Sequence, residues 1–269
     1  MSLHEKKAAL DDILSSLGSA AVAYSAGVDS TFLLKEAKLV LGDRALAVTV
    51  RSVFCPPRES REAEAFCRRE GIRHLLLDAD VLAVPGVADN PPDRCYLCKK
   101  ALFGQILDAA RENGTAAVVE GSNTDDLGDY RPGMRAVEEL GVRSPLREAG
   151  LSKAEIRELS RELGLPTWDK PAFACLASRF VYGQRLTAEG LARADEAEQY
   201  LRSLGFGQLR VRVHGNLARI EVLPEDRERL LADGLADEIQ ERLRALGFAY
   251  VTADLGGYRM GSMNRELKL

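Results

Sequence analysis

The stretch that most constrains this chain is a short run of small residues between an apolar segment and a helical one. Residues Ala20–Tyr24 are typical of a buried strand, and the apolar run Thr31–Leu34 begins a helix directly afterwards. The residues between them follow the spacing S-x-G-x-D-S: Ser25, Gly27, Asp29 and Ser30. A strand, a tight turn and a helix start direct backbone N–H groups toward one place, which predicts an anion site.

The residue types in this loop indicate a binding site for a phosphate together with a metal ion. Its small residues allow close approach of the backbone, and the hydroxyls of Ser25 and Ser30 can donate to phosphate oxygens. The carboxylate of Asp29 would repel a phosphate unless a cation lay between them, so we expect Mg²⁺ to bridge the two. The stretch contains no Gly-Lys-Ser/Thr and is not a Walker A loop. An ordinary strand-to-helix turn is the alternative.

Alternating strands and helices over the first part of the chain predict a doubly wound parallel α/β sheet of Rossmann-like type. The predicted strands cover residues 20–24, 45–53, 73–78, 116–120 and 142–145. In the order 3-2-1-4-5, strands one and four flank the switch point where ligands bind. The loop after strand four, which contains Gly121 and Asp126, would then face Ser25–Ser30 and help to hold nucleotide and Mg²⁺. A plain polar turn is the alternative for this loop.

The pattern changes after Pro171 and predicts a second, smaller α+β domain. Two alternating runs, 208–214 and 217–223, meet at Gly215-Asn216 and read as a β-hairpin. A helix precedes this hairpin, and a helix over about 225–246 and a strand over 248–253 follow it. We therefore divide the chain into domains at residues 1–171 and 172–269.

The composition limits the possible partners. The chain of 269 residues carries a net charge of −4, which argues against a broad nucleic-acid surface. No apolar run reaches the length of a membrane span, and the first residues lack a signal-peptide pattern. We expect a cytoplasmic protein that binds neither nucleic acid nor membrane.

Three of the five cysteines form a candidate metal-binding or reactive set. Cys95 and Cys98 form a lone C-x-x-C, and Cys175 lies far beyond them. Three thiolates suffice for a 4Fe–4S cluster with one iron left open to an exogenous ligand such as sulfide. A thioredoxin-like pair and three separate buried cysteines are the alternatives.

Taken together, the motifs resemble the LarE family of the PP-loop ATP pyrophosphatase superfamily over essentially the whole chain. The segments that carry the resemblance are Ser25–Ser30, Glu120–Asp126, Ser144–Leu146, Leu151–Arg157, Lys170–Arg179 and Asp254–Arg259. Ala26 departs from the family, because many PP-loops have glycine at this position.

The resemblance implies an ATP-dependent sulfur transferase in nickel-pincer nucleotide synthesis for lactate racemase. Each carboxylate of pyridinium-3,5-biscarboxylic acid mononucleotide would be adenylated with release of pyrophosphate and converted to a thiocarboxylate. It further implies ATP, Mg²⁺ at Asp29 and a 4Fe–4S cluster on the three cysteines, with Ser178 and Arg179 beside Cys175 in catalysis. Sulfide or another sulfur donor, other nickel-pincer biosynthesis proteins and a homo-oligomer are the implied partners.

The nucleotide substrate would also need a phosphate site in the second domain. Arg210 and Arg212 alternate on one face of a strand, and Arg179 follows Cys175 closely. Guanidinium groups are suited to bidentate phosphate recognition. A solvated, charged strand face is the alternative.

Three other functions remain open from the sequence. A tRNA-thiolating enzyme of the same superfamily also combines C-x-x-C with a distant cysteine, but the acidic charge argues against it. An ATP-dependent amidotransferase lacks its glutaminase segment here. A non-catalytic nucleotide-binding module would need no cysteine triad.

Overall fold

The computed structural model describes residues 1–128, 132–171 and 174–259, and the chain forms two compact units. The first contains Met1–Val81 and Cys95–Phe173, and the second contains Leu82–Arg94 and Ala174–Leu269. Parts 172–173 and 260–269 of the predicted second domain lie outside the described residues. The irregular segment Leu82–Arg94, placed in domain 1–171 by the sequence, groups with the second unit. The division after residue 171 stays a proposal.

The first unit has a four-stranded parallel sheet in the order β3-β2-β1-β4. Its strands are β1 Ala20–Ala23, β2 Ala45–Arg51, β3 Arg73–Asp78 and β4 Ala117–Val119. This order and the α/β class confirm the prediction. The predicted fifth strand is reduced to one parallel bridge between Arg143 and Val119. Pro145 begins a helix immediately afterwards, and this ends the extended segment.

Helices cover both faces of this sheet. They are α1 Leu3–Ser16, α2 Val28–Leu41, α3 Pro57–Arg69, α4 Arg94–Glu112, α5 Pro132–Glu139, α6 Pro145–Glu148 and α7 Lys153–Glu162. Along β1, Ala20 and Val22 face the core made with α1, α2, α3 and α7, whereas Ala21 faces the core made with α4 and α5. The central strand is apolar on both sides because both of its faces are covered.

The second unit has a three-stranded sheet in the order β5-β6-β7. Its elements are α8 Ala188–Ser203, β5 Leu209–His214, β6 Leu217–Val222, α9 Arg227–Leu230, α10 Leu235–Ala245 and β7 Tyr250–Ala253. The predicted hairpin is present as the antiparallel β5–β6 pair, and β7 joins β6 in parallel. The single helix predicted over 225–246 is wrong, because Gly234 has a φ of +83° and separates α9 from α10.

No helix within the described ranges is both long and apolar enough to cross a membrane.

Candidate active site

The loop between β1 and α2 forms an open cradle in the first unit. Gly27 is the N-cap of α2 and supplies no side-chain cap, so the first N–H groups of the helix face the loop. The hydroxyl oxygens of Ser25 and Ser30 lie 3.1 Å apart, and the Ser30 hydroxyl also lies 3.3 Å from the Gly27 carbonyl. The loop thus presents two hydroxyls at the positive end of a 14-residue helix, as an anion site requires.

The loop after β4 packs directly against this helix start. A Cβ built on Gly121 would lie 3.0 Å from the Ser30 nitrogen and 3.3 Å from the Asp29 Cβ. Only glycine permits this approach without displacing backbone. The Asp126 carboxylate accepts the Asn123 N–H at 2.9 Å, and its charge adds to the effect of burial, which is the main cause of the raised pKa of Asp29. The structure therefore brings both predicted loops together.

Lys153 is a site residue that the sequence reasoning missed. It begins α7, and its ammonium donates to Asp29 Oδ2 at 2.5 Å. Its backbone N–H donates to Asp125 Oδ2 at 3.0 Å, which fixes the start of α7 on the loop after β4. The only signal in the sequence was that Lys153 falls within a segment of the family resemblance.

Asp29 has the chemistry of a metal ligand. Its Oδ1 atom is buried and has no hydrogen-bond partner among the described residues. Burial raises the pKa of this carboxyl, and the Lys153 ammonium opposes that rise. Mg²⁺ commonly takes one or two carboxylates together with substrate phosphates, so an orphaned carboxylate oxygen beside a phosphate cradle fits this ion.

Cys175 lies in the second unit, at a turn held by the predicted arginine. The Arg179 side chain is completely buried, and its Nη1 atom donates to the carbonyl oxygens of Ala174 at 2.7 Å and Cys175 at 3.2 Å. The same nitrogen lies 2.9 Å from the Ser178 hydroxyl. Arg212 Nη1 donates to the Ser178 carbonyl at 2.9 Å. These arginines fix the backbone on both sides of Cys175.

Arg179, together with Arg210 and Arg212 of β5, forms a buried arginine cluster, and glutamates balance its charge. Arg179 pairs with Glu198 at 2.8 Å, and Arg212 pairs with Glu221 at 2.8 Å. A solvated strand face is therefore wrong, because Arg210 and Arg212 are both buried. Burial, together with the nearby Arg179 charge, lowers the pKa of Arg210 to about 10. An anion bound beside Arg210 would favour its charged form and so oppose both of these effects on its pKa.

The C-x-x-C occupies the first turn of α4, with Cys95 partly exposed and Cys98 buried. Over the three described ranges, no group of three or more His, Cys, Asp or Glu side chains is arranged to hold a metal ion. Cys95 and Cys98 belong to the first unit and Cys175 to the second, and a 4Fe–4S cluster on these three thiolates stays a prediction.

Comparison with known proteins identifies relatives along nearly the whole chain. No family model matches the chain. It is 43% identical over 268 residues to the pyridinium-3,5-bisthiocarboxylic acid mononucleotide synthase of Lactiplantibacillus plantarum, covering 98% of this chain and 96% of that protein. It is 45% identical over 265 residues to an uncharacterized protein of Synechocystis, covering 98% and 99%. A tRNA-specific 2-thiouridylase of Bradyrhizobium is 29% identical over 188 residues, covering 55% of this chain and 47% of that enzyme.

Proposed function

The chain belongs to the LarE family of pyridinium-3,5-bisthiocarboxylic acid mononucleotide synthases. We propose that it makes this bisthiocarboxylate from the corresponding biscarboxylate. The protein is an ATP-dependent sulfur-transferring enzyme. The observation that carries the assignment is the phosphate cradle at the start of α2, with an Asp29 oxygen beside it that no residue in the described part of the chain satisfies. The tRNA-thiolating relative matches only about half of the chain, which favours the small-molecule substrate.

In the first step, a substrate carboxylate oxygen attacks the α-phosphorus of ATP. The bond from this phosphorus to the bridging oxygen breaks, and pyrophosphate leaves with that oxygen. Ser25, Ser30 and the N–H groups at the start of α2 hold the departing pyrophosphate. Asp29 would hold Mg²⁺, which would supply charge neutralisation on the phosphates. Among the described residues, the Lys153 ammonium has Asp29 as its one acceptor, so it retains donors for a phosphate oxygen.

In the second step, a sulfur nucleophile attacks the acyl carbon, and AMP leaves with the former carboxylate oxygen. We assign sulfur handling to Cys175, Cys95 and Cys98. These three thiolates would hold a 4Fe–4S cluster, and such a cluster would supply an open iron for sulfide. Arg179 and Ser178 act by fixing the turn that contains Cys175.

The phosphate of the mononucleotide is assigned to the arginine cluster. Arg210 is the principal candidate, because burial and the neighbouring Arg179 guanidinium disfavour its charge more than Glu198 favours it, and a phosphate would add a second favourable anion. Arg212 is already paired with Glu221, so its contribution is to hold the cluster in place. A strongly perturbed group in a charged cluster is a frequent feature of binding sites.

The finer features of the proposal concern location and partners. The reaction is placed in the cytoplasm, where ATP is available and thiols stay reduced. Sulfide or another sulfur donor supplies the sulfur. A homo-oligomer and contact with other nickel-pincer biosynthesis proteins are carried over from the family resemblance.

The test of the proposed function is product analysis under anaerobic conditions. The protein is incubated with MgATP, sulfide and pyridinium-3,5-biscarboxylic acid mononucleotide, and the products are identified by mass spectrometry. We expect thiocarboxylates, AMP and pyrophosphate to appear together. The diamide of the substrate, which has no carboxylate to attack ATP, is the matched control and should release no pyrophosphate. Sulfur incorporation into tRNA without any into the mononucleotide would overturn the assignment.

The assignment of the cysteines has its own test. Cys95→Ala, Cys98→Ala and Cys175→Ala should each abolish multiple turnover, and loss of absorbance near 400 nm would identify a shared cluster. Cys67→Ala is the control, because Cys67 is buried in the core and burial raises its pKa to about 12. Full activity of the Cys95 and Cys98 variants, with Cys175 converted to dehydroalanine, would instead show that the protein gives up its own sulfur.

A further inference from the structure

Lys170 makes an unusual set of contacts with the phosphate loop. Its ammonium donates to the Ala26 carbonyl at 3.0 Å, to Glu59 Oε2 at 2.7 Å and to Glu62 Oε2 at 2.6 Å. The two glutamates lie on the first turns of α3, and the lysine side chain is only 19% exposed. One ammonium therefore joins the loop to α3.

The acceptor in the loop belongs to a residue in an unfavourable conformation. Ala26 has a φ of +56° and is almost completely buried. The left-handed region is disfavoured for alanine, whereas glycine adopts it freely. The turn at Ala26 lies directly between Ser25 and Gly27 and so helps to direct the loop toward the start of α2. Surrounding contacts must hold a residue in such a conformation.

The backbone of Lys170 is itself anchored. Arg157, one turn into α7, donates to the carbonyl of Trp168 at 2.6 Å and to the carbonyl of Lys170 at 2.9 Å. The lysine thus reaches the phosphate loop from a fixed base. Since the same helix presents Lys153 to Asp29, α7 supports the loop at two positions.

We infer that Lys170 is a positioning residue that holds the phosphate loop in its left-handed turn at Ala26. The inference rests on the proposed function of that loop as the ATP site. An ammonium has three protons, and Lys170 uses all three on the Ala26 carbonyl and the two glutamates. It therefore has no proton left for a phosphate oxygen, and its effect on ATP passes through the loop.

The experiment measures ATP binding by calorimetry and steady-state kinetics in four single variants and one double variant. Loss of a charge-assisted hydrogen bond predicts that Lys170→Met weakens ATP binding about tenfold or more. The KM for ATP should rise accordingly, while kcat at saturating ATP stays close to that of the unchanged protein. Lys35→Met is the matched control. Lys35 also pairs with a glutamate, Glu70 at the C-terminal end of α3, at 2.7 Å and is similarly exposed, but it does not contact the loop. It should keep its ATP affinity.

The third variant tests the mechanism through Ala26. Glycine adopts the left-handed turn without strain, so Ala26→Gly should reduce the dependence of the loop on Lys170. We expect Lys170→Met to weaken ATP binding only about threefold in the Ala26→Gly background. An undiminished loss there would show that Lys170 acts on ATP in another way. If Lys170→Met alone does not fold, the double variant, compared with Ala26→Gly, decides the question.

The fourth variant separates failure of the inference from failure of the proposed function. Ser30→Ala removes a hydroxyl of the cradle itself and should weaken ATP binding. If Ser30→Ala weakens binding and Lys170→Met does not, the positioning role is wrong and the ATP site stands. If neither changes ATP affinity, the assignment of the loop to ATP is wrong as well.

Discussion

The two units of this protein use buried charge in opposite ways. In the first, one buried carboxylate oxygen of Asp29 has no partner within the described ranges, and burial raises the pKa of Asp29 despite the adjacent Lys153. In the second, Glu198 is completely buried but accepts Arg179 on both oxygens and the Val211 N–H on one. Burial opposes ionisation there too, yet the Arg179 charge prevails and lowers the pKa of Glu198.

Asp29 is thus a group prepared for a ligand, whereas Glu198 is a group that stabilises the fold. An unsatisfied buried oxygen is costly and persists where a ligand or cation completes it. A buried ion pair whose oxygens are already hydrogen-bonded has no atom left to bind a ligand. Removal of one partner, however, leaves the charge of the other buried and uncompensated. Substitutions at Asp29 should therefore affect chemistry more than stability, and substitutions at Glu198 should affect stability first.

The largest expected effect on the reaction rate is at Asp29. Asp29→Asn keeps the size of the side chain but removes the charge that holds Mg²⁺, so pyrophosphate release should fall by about a hundredfold or more. The melting temperature should change little, because the Asp29–Lys153 pair is partly exposed. Pyrophosphate release at saturating MgATP measures the effect. An unchanged rate would remove Asp29 from the metal site.

The next effect is on stability at Glu198. Glu198→Gln should lower the free energy of unfolding by about 3–5 kcal/mol at pH 7, since Arg179 loses its buried partner. The pKa of Glu198 is lower in the folded protein, so its stabilisation is present above the unfolded pKa of about 4.3 and is lost as the pH falls through the folded value. Urea titrations at pH 7 and at progressively lower pH should show the two proteins converging in acid. A difference that does not depend on pH would contradict the ion-pair account.

A smaller effect is expected on substrate binding at the arginine cluster. Arg210→Met should cost about 1.5–3 kcal/mol of binding to the mononucleotide, the contribution of a charge-assisted hydrogen bond. The affinity for the corresponding nucleoside, which lacks the phosphate, is the control and should be unaffected. Equal losses for both ligands would show that Arg210 supports the fold and does not recognise the phosphate.

The smallest effect is expected from a single methyl group at Gly121. Gly121→Ala places a Cβ against the Ser30 nitrogen and should raise the KM for ATP by about tenfold as the start of α2 shifts. Gly104→Ala is the matched control, because a Cβ added there would meet nothing within 4 Å, and alanine is the better helix former in α4. A KM at Gly121→Ala equal to that of the control would show that the two loops do not form one site.

Local sequence signals predicted the parts of this structure that local physics determines. The strand–loop–helix at Ser25–Ser30 and the hairpin at Gly215-Asn216 follow from residue types within a few positions. The fifth strand and the unbroken helix over 225–246 were wrong, because the helix start at Pro145 and the positive φ of Gly234 interrupt otherwise favourable runs.

Long-range contacts could not be predicted in this way. Lys153 and Lys170 reach the phosphate loop from 124 and 144 residues away, and no spacing rule connects them to it. Buried Arg212 pairs with Glu221 of β6, and Glu198 of α8 favours the charge of Arg210, but the strand pattern alone shows neither glutamate and fitted a solvated face equally well. Charges on a strand show their role only when their partners are known.

The central claim is that a substrate carboxylate is adenylated before sulfur arrives, and an isotope experiment tests it most directly. The mononucleotide is prepared with ¹⁸O in its carboxylates and is turned over with MgATP and sulfide. Attack on the α-phosphorus leaves one labelled oxygen on each AMP formed, because the later break falls between that oxygen and the acyl carbon. AMP with one ¹⁸O for each thiocarboxylate formed is the predicted result. Unlabelled AMP would contradict the account, since ATP would then have been cleaved without forming an acyl-adenylate.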